Sequence, residues 1–119
     1  MICPIHGFQG AGLGSTTYTL ELEYQDPDAV LGNCQVTADL LATETRGYTG
    51  ADLATVNSNN RNDVNRTYLG TSVSSSYVFD FDTYYYWVEV TMSRNSTCAS
   101  YETSIAAPTT FFGVRLYKS

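Results

Sequence analysis

Residues 84–93, YYYWVEVTMS, alternate strictly between two faces, and this alternation constrains the fold more than any other feature of the chain. Side chains on a strand point to opposite sides in turn, so Tyr84, Tyr86, Val88, Val90 and Met92 form a core face. Tyr85, Trp87, Glu89, Thr91 and Ser93 form the opposite one. A helix would scatter both sets around its circumference, so the stretch predicts a central β-strand. Residues 15–25 repeat the pattern, with Tyr18, Leu20, Leu22 and Tyr24 set against Thr17, Thr19, Glu21, Glu23 and Gln25.

The remaining elements follow from the same period. Residues 34–41 place Val36, Ala38 and Leu40 inward, and residues 67–72 read as a further strand. In residues 73–81, Tyr77, Phe79 and Phe81 alternate with Ser76, Val78 and Asp80, which predicts another strand. The last strand, 111–117, sets Phe112, Val114 and Leu116 against Phe111, Gly113, Arg115 and Tyr117. Asp26-Pro27-Asp28 and Gly32-Asn33 supply turn chemistry between the early strands. A short strand within 53–56 is expected, because a structureless connection from 42 to 66 would be long for a compact domain. Residues 94–108 read as a polar excursion around Cys98, and no stretch carries a helical period.

These strands predict an all-β fold without significant helix: two antiparallel sheets of six to eight strands, packed as a β-sandwich of immunoglobulin-like or jelly-roll type. The 119 residues suffice for one domain, assigned to residues 15–119. Residues 1–14 contain Gly7, Gly10, Gly12 and Gly14 and read as an N-terminal arm. The run Gly10-Ala11-Gly12-Leu13-Gly14 lacks the preceding strand and following helix of a phosphate-binding turn.

Charge removes several function classes. The net charge is −6 and Lys118 is the only lysine, which argues against nucleic acid and anionic membrane surfaces as partners. No apolar run approaches the ~20 residues of a membrane span. The opening residues lack the basic and then apolar pattern of an export signal, so a chain already processed, or exported by another route, is expected.

Three cysteines, Cys3, Cys34 and Cys98, have no zinc-site spacing, and His6 is the only histidine, so no metal or other cofactor is expected. Cys34 and Cys98 are the expected disulfide, which suits a domain outside the reducing cytosol. Asn65 and Asn95 head Asn-x-Thr sequons and are the candidate glycosylation sites. The polar run at residues 57–63 lacks the glycine and terminal glutamate of a calcium loop and reads as solvated. Asp80 and Asp82 lie at a strand end where calcium is a weaker reading.

Catalysis is hard to seat. A nucleophile–histidine pair would depend on His6, inside the arm. Glu21 and Glu23 share a strand face, but outward acids on a strand are more often a solvated surface than a hydrolytic pair. No catalytic residue is assigned. The leading expectation is a structural subunit, extracellular or on the surface of a particle, that associates with its own copies through the arm residues Ile2, Pro4, Ile5 and Phe8. The alternative is a carbohydrate-binding module. In that reading Tyr85, Trp87, Phe111 and Tyr117 form one aromatic platform on paired strands, and Glu89 and Arg115 bond to a glycan's hydroxyls.

Overall fold

The structure is a computed structural model that describes residues 2–5, 17–44, 50–74 and 76–118. Seven strands among these residues form two antiparallel sheets, so the sandwich expected from the alternation is the observed architecture. β1 (Ile2–Ile5), β3 (Cys34–Glu44), β4 (Gly50–Asn57) and β6 (Tyr84–Arg94) make one sheet, in the order β1-β6-β3-β4. β2 (Tyr18–Gln25), β5 (Thr67–Ser72) and β7 (Thr110–Lys118) make the other, in the order β5-β2-β7. Across the core β2 meets β3 and β4, and the edge strand β5 meets β4; the two layers are those of an immunoglobulin-like sandwich. The first and last strands are exchanged relative to that fold: β1 lies beside β6 and β7 beside β2.

The core lies between the sheets where the alternating residues meet. Tyr18, Leu20, Leu22 and Tyr24 of β2 face Val36, Ala38 and Leu40 of β3 and Tyr86, Val88 and Val90 of β6, all buried. Each large side chain removed from water there contributes about 1.5–3 kcal/mol before chain entropy is counted. The register of the central strand therefore matches its sequence pattern, with Trp87 outside. Met92 departs from it and is 53% exposed, although its ladder partner Val36 is buried.

The described residues of the stretch 73–81 do not form the expected strand, although their alternation is real. Val73 donates one backbone bond to the Tyr18 carbonyl, and the chain then leaves the sheet. Phe79 and Phe81 pack on Tyr86, with ring centroids 4.8 and 4.9 Å away. The Tyr77 and Tyr86 hydroxyls lie 2.8 Å apart, and Tyr86 Oη also accepts the Asp80 N–H at 2.8 Å. An extended segment with one apolar face can thus close the end of a sandwich through side chains instead of a backbone ladder.

The expectation of no helix also needs correction. α1 (Cys98–Ile105) follows β6. Asn95 Oδ1 accepts the N–H groups of Thr97 and Cys98 at 2.9 and 3.2 Å, satisfying donors that helix entry leaves free. Ala106, in the left-handed region at φ 55°, ends the helix before Pro108. Cys34 and Cys98 form the expected disulfide, with Cα atoms 5.1 Å apart, and it ties α1 to the start of β3.

Candidate functional site

Three places in the fold carry chemistry. The first is the edge of β6. β1 pairs antiparallel with it, Ile2 opposite Glu89, Pro4 opposite Trp87 and Ile5 opposite Tyr86. Phe8 and His6 lie outside the described residues, as does the run from Gly10 to Gly14. On the outer face of this sheet Trp87 is half-buried and its Nε1 donates to Thr43 Oγ1 at 3.0 Å. Tyr85 beside it is 66% exposed. Glu89 lies opposite Asp39 of β3, whose carboxylate accepts the Thr55 hydroxyl at 2.7 Å.

The expected aromatic platform does not form. Tyr85 and Trp87 belong to β6, whereas Phe111 and Tyr117 belong to β7, which pairs with β2 in the opposite sheet. Phe111 moreover faces the core. A bulge between Glu23 and Tyr24 places Tyr24 opposite Phe111 and leaves Phe112 as the extra residue, which reverses the facing of Phe111 and Phe112 from that read in the sequence. Arg115 and Tyr117 do lie on the outer face, but of the three-stranded sheet, with Glu89 on the other.

That outer face is the second place. Glu21 of β2 accepts from Arg115 Nε at 2.8 Å, and this guanidinium lies 4.3 Å from the centre of the Tyr117 ring. Glu23 accepts from Arg66 Nε at 2.6 Å, and that guanidinium lies 3.9 Å from the centre of the Phe112 ring. Two aromatic–guanidinium–carboxylate stacks therefore stand side by side. The glutamate side chains are only 17% and 16% exposed, because the rings and guanidinium groups wall them in. Around them opens a groove of about 520 Å³ lined by Glu21, Glu23, Tyr68, Gly113, Val114 and Arg115. Arg115 is held still more firmly in its charged form, chiefly by its bond to Glu21. The sequence pattern identified Glu21, Glu23, Arg115 and Tyr117 as outward but gave no sign that β5 would bring Tyr68 beside them.

The third place is buried. Asp26, Pro27 and Asp28 form the turn after β2, yet both carboxyls lie inside. Asp26 accepts the Asp28 N–H at 3.2 Å and the Ser58 hydroxyl at 2.5 Å. Asp28 Oδ2 accepts the N–H groups of Asn33 and Cys34 at 2.8 and 3.2 Å. With its amide turned so that Nδ2 points inward, Asn59 donates to Asp26 at 3.3 Å and to the Ala29 carbonyl at 3.1 Å, while Asp28 Oδ1 stays buried without a partner among the described residues. Burial first, and then the neighbouring Asp28 carboxyl, push Asp26 up to about 7. Cys34 Sγ lies close to both acids, but it is committed to the disulfide and is no metal ligand. These polar groups pin the turn to β3 and to the short 3₁₀ turn Ser58–Asn60.

The remaining candidates are locally engaged. Asp80 accepts the Thr83 hydroxyl and the N–H groups of Asp82 and Thr83, which hold its carboxyl below the usual range. Asn65 is exposed, while Asn95 spends its side chain on α1 and on Asn33 Oδ1 at 2.8 Å. No described helix is long and apolar enough to cross a membrane. Comparison with family models, with curated proteins and with solved structures finds no match to this chain.

Proposed function

We propose that this protein is a non-enzymatic structural subunit that assembles with its own copies outside the reducing cytosol, its N-terminal strand pairing with β6 of a neighbour. The observation that carries this reading is the position of β1. Its neighbour in sequence, β2, lies in the opposite sheet, so no hairpin holds β1 in place. Its described pairing is one four-residue ladder on the edge of β6.

The same ladder can form within a chain or between chains with identical backbone bonds, and the connection to β2 sets how far the strand can reach. Residues 6–17 make that connection, and twelve residues reach at most about 40 Å when extended. This exceeds the two shorter dimensions of the molecule, 29 and 18 Å. A strand that leaves one chain to complete the next is a head-to-tail contact, which can propagate as an open filament where the rotation does not close. The buried disulfide suits an extracellular or particle-surface setting.

Removal of residues 1–13 tests the reading. Light scattering behind size exclusion should show concentration-dependent association of the intact chain and a folded monomer after truncation. An intact chain that stays monomeric at millimolar concentration, or a truncated one that assembles as before, would contradict it.

A further inference from the structure

Gly113 follows the β7 bulge at Phe112, a usual place for a strand glycine, and it also leaves open space on the outer face. It lies in the interior of β7, where glycine weakens a strand, and its backbone is not in the left-handed region. A Cβ built there would meet nothing within 4 Å. The contrast is Gly70, on the same face but in β5 across β2, where a Cβ would come within 3.1 Å of the Thr19 methyl group. Gly70 is explained by packing. Gly113 instead leaves a gap directly beside Glu23, at the floor of the groove between the two stacks.

We propose that this groove is a binding site for a neutral oligosaccharide, with a pyranose ring seated over Gly113 against Tyr68. Three properties select that chemistry. The volume of about 520 Å³ lies in the range of ~300–1,000 Å³ usual for small-ligand clefts. Each carboxylate is already paired with a guanidinium, Glu21 with the lining Arg115 and Glu23 with Arg66 beyond the lining, so neither is free to hold a cation, and the chain's net charge of −6 opposes an anionic sugar. A carboxylate offers about four lone-pair sites and a guanidinium five N–H donors, so each pair keeps acceptors and donors for vicinal hydroxyl groups after bonding its partner. Tyr68, 55% exposed, supplies the flat apolar surface for the C–H face of a ring. This site is separate from the β6 edge and does not depend on assembly.

The full chain should be titrated calorimetrically with neutral hexasaccharides of glucose, mannose, galactose, xylose and N-acetylglucosamine, and with heparin and polygalacturonate fragments as anionic controls. At least one neutral series should bind below millimolar concentration, and the anionic fragments more weakly. Gly113→Val should abolish that binding while the melting temperature holds or rises, since the new side chain enters the groove and not the core. Tyr68→Ala should weaken it at least tenfold with the fold intact by circular dichroism. The proposal is overturned if no neutral hexasaccharide binds in the millimolar range, if the anionic fragments bind more tightly, or if Gly113→Val binds as the parent does.

Discussion

The residue with the most consequence for solution behaviour is Asp26. Its carboxyl is fully buried and titrates near about 7 when folded, against 3.8 when exposed. The folded chain therefore holds this proton more tightly than the unfolded chain. The stability so gained is complete below the unfolded value, is lost as pH rises through the folded one, and changes no further above it. Glu102 acts in the opposite sense, since Arg94 first, and then the Thr109 N–H, hold it below the usual range. Comparison with Asp26→Asn separates the two, because the amide mimics the protonated acid at every pH. Urea denaturation should find the variant gaining on the parent across the window from about 4 to about 7, by roughly 2–4 kcal/mol in total, with a constant difference above it. A difference independent of pH would show that Asp26 is ionised in the folded protein.

Among the elements, α1 depends most on a single covalent link. It is short, it buries Cys98 and little else, and its other anchors are Asn95 at its start and Glu102. Glu102 pairs with Arg94 and accepts the Thr109 N–H at 2.6 Å. Replacing Cys34 and Cys98 together by serine should cost about 4 kcal/mol, the chain-entropy value for a closed loop of this length. Hydrogen exchange should rise first in residues 98–109, and exchange that rises uniformly would show that the bridge serves the whole sandwich instead. The helix was illegible in the sequence for the same reason that it is fragile: Ala99, Ser100, Glu102 and Thr103 make no apolar stripe, and the cap lies in a residue that reads as a glycosylation site. The facing of β2, β3 and β6 was legible in the alternation except at Met92, although β3 runs on to Glu44, beyond the expected end at Leu41. The groove was legible only in part, because alternation assigns a residue to a face but not a strand to a neighbour. The bulge at Phe112 adds one residue and so inverts Phe111, which no periodicity reports.

At the scale of the molecule, strands β5 and β7 border one sheet and β4 and β1 the other. Of these four, β4 alone has a hairpin partner, and of the other three only β1 is joined to the rest through a glycine-rich stretch, which makes it the strand that can leave with least disturbance to the core. Its departure would uncover the backbone of β6 beside Trp87, and an uncovered edge is what a second chain can pair with. Cross-linking reports directly which chain supplies the strand. With Cys3→Ser removing the third cysteine, Ile2→Cys and Glu89→Cys place two thiols on Cα partners of the β1–β6 ladder. Oxidation at assembling concentration followed by a non-reducing denaturing gel should give a ladder of covalent multimers. A single monomeric band carrying an internal bridge would mean that each chain keeps its own strand, and would contradict assembly by strand exchange.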